Sequence, residues 1–202
     1  NQNYNKDFYD VIIVNDHSDD NSWELLCNEK LNWPHLQLLD MDVNEYGKKK
    51  ALSKAINFSN SEVILTSDAD CLFTPEWIKS MTSCFINDKI NLASGPVSFN
   101  HQSTFFNQIQ TLEFLSLIAS GAAAIGLNKP IFCNGANLAY RRKVFLEVNN
   151  YHDNDIASGD DVFLLHMVKK VYPGSILFIK NFEAIVMTDS ISTFRKFINQ
   201  RI

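Results

Sequence analysis

Asp68 and Asp70 close a run of apolar residues, "EVILTSDADC" at positions 62–71. Side chains alternate faces along an extended chain, so both carboxylates leave the same side, about 7 Å apart at the backbone. Like charges that close oppose each other's ionisation unless something positive sits beside them. A divalent cation is the expected partner, because hard cations take carboxylate oxygens. Asp16 ends another apolar run, "YDVIIVND", and adds a third acid at a strand end. The segment "SGDDVFL" supplies a second acidic pair, Asp160 and Asp161, at the start of a predicted helix. Acids there complement the helix dipole, and one of them beside a reacting hydroxyl is also a candidate general base.

Other chemistries lack their residues. "EYGKKKAL" contains Gly-Lys, but a P-loop needs Gly where Asp42 stands and Ser or Thr where Lys49 stands. No G-x-G-x-x-G follows a strand. Neither "DADCLF" nor "DHSDDN" continues as a calcium loop. The five histidines are scattered without H-E-x-x-H, so a zinc site is not expected. Lys and Arg number 18 against 23 acids, a formal charge of −5, which argues against nucleic acid as partner. Cys27, Cys71, Cys84 and Cys133 form no C-x-x-C pair and sit among apolar neighbours. They read as buried free thiols in a reducing compartment.

The elements that must position the acids can be read from periodicity. The 202 residues, 46% hydrophobic and 20% charged, suit one globular domain. Val11–Val14, "HLQLLDM" and "EVILTS" read as buried strands. Between them lie a helix at "NSWELLCNEK", opened by an Asn21/Glu24 capping box, and one at "GKKKALSKAINFS" with Ala51, Leu52, Ala55 and Ile56 on one face. Thr74 and Pro75 read as the N-cap and first position of a further helix. "NLASGPVSF" reads as a strand, Thr104 to Leu127 as mostly helix, "NGANLAYRRKVFLEV" as a strand leading into a helix, and "GDDVFLLHMVKKV" as a helix. Alternating strand and helix imply an α/β fold, with ligands at the carboxyl ends of the strands. The nearly uncharged stretch Phe114 to Leu127 falls short of the ~20 residues that span a bilayer. It reads as a core or acceptor-lining helix. The polar start at Asn1 and the stop at "KFINQRI" suggest a single domain, 1–202, cropped at both ends.

In order, "VIIVNDHSDDNSWELL", "GKKKAL", "ILTSDADCLFTPEWI", "NGANLAYRRKVF", "GDDVFLL" and a closing "QR" resemble the motifs of family 2 glycosyltransferases. These are inverting enzymes that use nucleotide-diphosphate sugars. The resemblance implies a GT-A, Rossmann-like fold: a mostly parallel sheet with helices on both faces. It implies that Asp16 hydrogen-bonds the uracil of the donor and that Lys48 lies near the donor. By the same resemblance Asp68 and Asp70 form the D-x-D motif, with Asp70 the usual metal ligand and Mg²⁺ or Mn²⁺ the cofactor. Asp161 matches the catalytic base, with Asp160 where the family often has Glu. Gln200 and Arg201 match the start of Q-R-x-R-W in processive, membrane-linked members. The partners implied are a UDP-sugar and a glycan or lipid acceptor. The place implied is the cytoplasm, at the membrane face if flanking segments anchor it. His17 stands where the family has Gly, and nothing matches the family's opening I-P-x-x-N-E strand. Two alternatives are a catalytically silent domain of the same fold and a nucleotidyltransferase. The latter calls for a basic, glycine-rich loop after the first strand, which this sequence lacks.

Overall fold

A computed structural model of the chain describes residues 2–100, 104–149 and 160–190. Nine strands and six α-helices alternate through them. The first layer is a parallel pair, β1 (Val11–Asn15) and β2 (Leu36–Asp40), joined through α1 (Ser22–Lys30). The central sheet holds β3 (Val63–Thr66), β5 (Leu92–Ser94), β7 (Leu138–Arg141) and β8 (Ile176–Phe178), in the order β3-β7-β5-β8. A third sheet, order β4-β9-β6, is built from β4 (Leu72–Phe73), β6 (Val97–Phe99) and β9 (Val186–Thr188). The remaining helices are α2 (Lys48–Phe58), α3 (Trp77–Thr82), α4 (Phe105–Gly126), α5 (Arg142–Asn149) and α6 (Asp160–Val171).

The fold is α/β, as the alternation requires, but the sheets are mixed rather than mostly parallel. β5 pairs β8 in parallel, whereas β7 runs antiparallel to both β3 and β5. The reason lies in where the chain enters. A short 3₁₀ turn, Gly135–Asn137, delivers the chain beside Thr66, where β3 ends, so Leu138 pairs Thr66 and β7 must run back.

Period-two alternation then fills both faces of the central sheet. Leu92, Leu138 and Tyr140 pack with Ile56, Val144, Leu165 and Val168 on the side of α2, α5 and α6. Ala93 and Ala139 face Trp77, Ile78, Met81 and Val186 on the other. Two buried polar side chains lock this arrangement. Asn137 donates from Nδ2 to the carbonyls of Pro96 and Ala184, each at 2.7 Å, and accepts from Trp77 Nε1 at 3.0 Å. Arg141 donates to the carbonyls of Ile90 and Phe85 and is ion-paired with Glu62.

Several local expectations are revised. "NLASGPVSF" is two strands in different sheets. Pro96 has no N–H for a ladder, while Gly95 N–H donates to Asn137 O at 2.9 Å. Asn21 precedes α1 without a side-chain cap; Asp20 instead accepts from Ser22 N–H at 2.9 Å, and no residue of α1 is buried. The helix expected at Thr74 and Pro75 begins at Trp77, whose N–H donates to Thr74 O in a turn before it. Cys27 is exposed, although Cys71 and Cys133 are buried. α4 is capped by Thr104 and is 22 residues long, with Glu113 its one charged residue. By length and composition alone it could cross a membrane, and only 22% of its most apolar window is buried. It is therefore less of a core helix than the sequence suggests. Ile118, Gly121 and Ile125 face inward; Phe105, Ile109, Leu112 and Leu115 face out.

Candidate active site

The carboxyl ends of β1 and β3 meet the first turns of α2 and α6. Asp16 directly follows β1. Its Oδ2 accepts from Gly47 N–H at 2.9 Å and its Oδ1 meets His17 Nδ1 at 3.1 Å. These bonds, Gly47's first, hold its carboxyl below the usual range. Gly47 sits at φ 100°, a conformation cheap only without a Cβ, so the N-cap of α2 can turn its N–H onto Asp16. The next residue, Lys48, forms an ion pair with Asp68 through Nζ and Oδ1. Lys48–Lys50 thus open α2 at the positive end of its dipole, with Asp68 paired to Lys48 and Asp160 within the influence of Lys49 and Lys48.

Asp68 and Asp70 lie just past β3, in a turn closed by Cys71 N–H donating to Asp68 O at 3.3 Å. Asp70 Oδ2 faces Thr188 Oγ1, at the end of β9, at 3.5 Å. The end of β3 is pinned to the Gly135–Asn137 turn: Thr66 Oγ1 donates to Gly135 O at 3.1 Å, and Ser67 Oγ to Ala136 O at 2.7 Å. The same turn receives α6. Asp161 Oδ2 accepts from Gly135 N–H at 2.7 Å and Oδ1 from Val162 N–H at 2.8 Å. A Cβ at Gly135 would stand 3.3 Å from that oxygen, tighter than ordinary contact. Asp160 is the acid pushed above the usual range. Burial is the main cause and Asp161 adds to it, while Lys49 and Lys48 oppose it. That influence of the lysines couples the start of α6 to the start of α2.

The structure thus gathers Asp16, Lys48, Asp68, Asp70, Asp160 and Asp161 at one end of the sheets. Gln200 and Arg201 lie outside the described residues. Among the described residues no group of three or more His, Cys, Asp or Glu is placed to hold a metal by itself. Asp68 and Asp70, hard oxygen ligands two residues apart in one turn, are of the chemistry that would hold a Mg²⁺ or Mn²⁺. Sequence reasoning missed Thr188, Gly135 and the pair His17–Tyr46. Thr188 arrives from a three-residue strand 118 positions away, and no local pattern signals that.

The sequence profile of the family described as "Glycosyl transferase family 2" matches residues 1–148. The chain belongs to that family. Poly-beta-1,6-N-acetyl-D-glucosamine synthase of Staphylococcus epidermidis is 28% identical over 152 residues, covering 75% of this chain and 36% of that protein. The synthase of the same name from Staphylococcus aureus is 28% identical over 156 residues, with the same coverage. The chain therefore spans about a third of the length of these relatives. Two solved structures share the fold. A mannosyltransferase from Pyrobaculum calidifontis, in complex with GDP-Man and Mn²⁺, superposes with a TM-score of 0.67 at 16% identity, over 99% of this chain and 53% of that one. TarS residues 1–349 of S. aureus, in complex with UDP-GlcNAc, gives 0.66 at 16%, over 95% and 52%. These confirm the expected GT-A fold class.

Proposed function

We propose that the chain is the donor-binding and catalytic part of a metal-dependent, inverting glycosyltransferase that moves a sugar from a UDP-sugar to a hydroxyl of a glycan or lipid. The observation that carries this reading is the convergence of three charged elements: the acids after β3, the lysine turn opening α2 and the acids opening α6. Asp16 accepts an N–H of the nucleobase on lone pairs left over from Gly47 and His17. Lys48 and the N-terminus of α2 attract the diphosphate. Asp70 and Asp68 are the residues that would hold the divalent cation. When bound, the cation supplies Lewis-acid stabilisation of the departing diphosphate.

An inverting displacement needs a base on the face opposite the leaving group. Asp161 takes the acceptor proton, its carboxylate aimed by the N–H groups of Gly135 and Val162. Asp160 stands next to it, raised by burial, with Lys49 and Lys48 drawing its carboxyl back toward the charged form. Relatives named as polysaccharide synthases support a glycan acceptor, and free cysteines agree with a cytoplasmic location.

The test is transfer from UDP-sugars by Asp161→Asn. Turnover falls at least a hundredfold while UDP affinity stays within about twofold, because the base acts only in the transition state. Wild-type turnover in Asp161→Asn would remove it as base.

A further inference from the structure

His17 and Tyr46 form a feature that the roles above do not use. His17 is a non-glycine residue at φ 61°. That left-handed conformation carries a strain of about 1 kcal/mol for a residue with a Cβ. Glycine would relieve it, so the histidine side chain is kept against the preference of the backbone. Strained side chains at strand ends point to function when something fixes them in place. Here two contacts do. The ring meets Asp16 Oδ1 through Nδ1 and stacks on Tyr46, with centroids 4.3 Å apart and planes at 26°.

The stack is not part of either core cluster. Tyr46 remains 61% exposed, so a flat aromatic surface faces solvent beside a carboxylate. Its position relative to the diphosphate site is set by a continuous run of contacts. Tyr46 precedes Gly47, Gly47 donates to Asp16, and Lys48 pairs with Asp68. A nucleotide whose phosphates lie at Lys48 and Asp68, and whose base meets Asp16, brings that base onto these rings.

We propose that the His17–Tyr46 stack beside Asp16 is the ledge on which the donor's nucleobase lies, with Asp16 holding the base by its edge and the rings holding it by its face. The proposal rests on the donor-site reading above. It names two residues of this chain as determinants of nucleotide affinity. Stacking on an aromatic platform tolerates any base, so the rings set affinity while Asp16 requires a base with an edge N–H.

The test is calorimetric titration of the 202-residue chain with UDP and, separately, with inorganic pyrophosphate, both with Mn²⁺. It uses wild type, His17→Gly, Tyr46→Ala and Tyr46→Phe. His17→Gly and Tyr46→Ala are expected to weaken UDP about tenfold and to leave pyrophosphate within twofold. Tyr46→Phe keeps the platform and binds UDP as wild type does. His17→Gly retains or raises the melting temperature, which separates loss of the ledge from loss of the fold. Unchanged UDP affinity in His17→Gly and Tyr46→Ala, or equal weakening of UDP and pyrophosphate, would overturn the ledge. So would a wild type that binds pyrophosphate but not UDP, with the metal–phosphate site left standing. A wild type that binds neither would bring down both readings.

Discussion

At the scale of single residues, the site separates two carboxylates that the sequence presents as a matched pair. Asp161 is committed to two backbone N–H groups, while Asp160 faces the lysines of α2 and lies above the usual carboxylate range, chiefly through burial. A raised folded-state value means that holding Asp160 ionised costs stability. The cost is fully present above the folded value and vanishes as pH falls below the unfolded value of 3.8. Asp160→Asn is therefore expected to melt higher than wild type at neutral pH, with the gap closing toward pH 3, as thermal unfolding across that range would record. A gap that widened on acidification would mean that the lysines, and not burial, dominate. Gly47 gives a cleaner backbone case. A Cβ there would meet no atom within 4 Å, yet φ is 100°. Gly47→Ala should cost about 1 kcal/mol from the backbone alone. It should also weaken nucleotide binding by disturbing the N–H that holds Asp16, which paired unfolding and UDP titrations would show.

At the scale of elements, the division between what sequence reveals and what it hides follows the range of the interaction. β1, β2, β3, α2 and α6 are each announced by their own residues, and the acids at their ends were legible for the same reason. β4, β8 and β9 have two or three residues each. Runs that short carry no periodicity, and their strand character comes from partners far along the chain. Strand direction was hidden too, because the reversal of β7 depends on a turn docking beside Thr66 rather than on any residue in β7. Asn137 shows how much rests on that turn. Fully buried, it satisfies two carbonyls and the Trp77 indole. Asn137→Ala should destabilise the chain by roughly 3 kcal/mol, since each buried polar group left unpaired costs about 1–3 kcal/mol. Chemical denaturation would read this directly; a loss under 1 kcal/mol would show that water replaces the bonds.

At the scale of the whole molecule, two cores on opposite faces of one four-stranded sheet hold a rigid floor, and the charged groups are collected at one of its ends. The D-x-D acids are the part of that collection on which the proposed function depends, since it has Asp70 as the residue that would hold the donor's cation. The most direct measurement is a calorimetric titration of UDP into the 202-residue chain, with Mn²⁺ and then with a chelator, on wild type and Asp70→Asn. The expected result is Mn²⁺-dependent binding that chelation abolishes and Asp70→Asn weakens at least tenfold. UDP binding that is indifferent to both the metal and Asp70 would contradict the account.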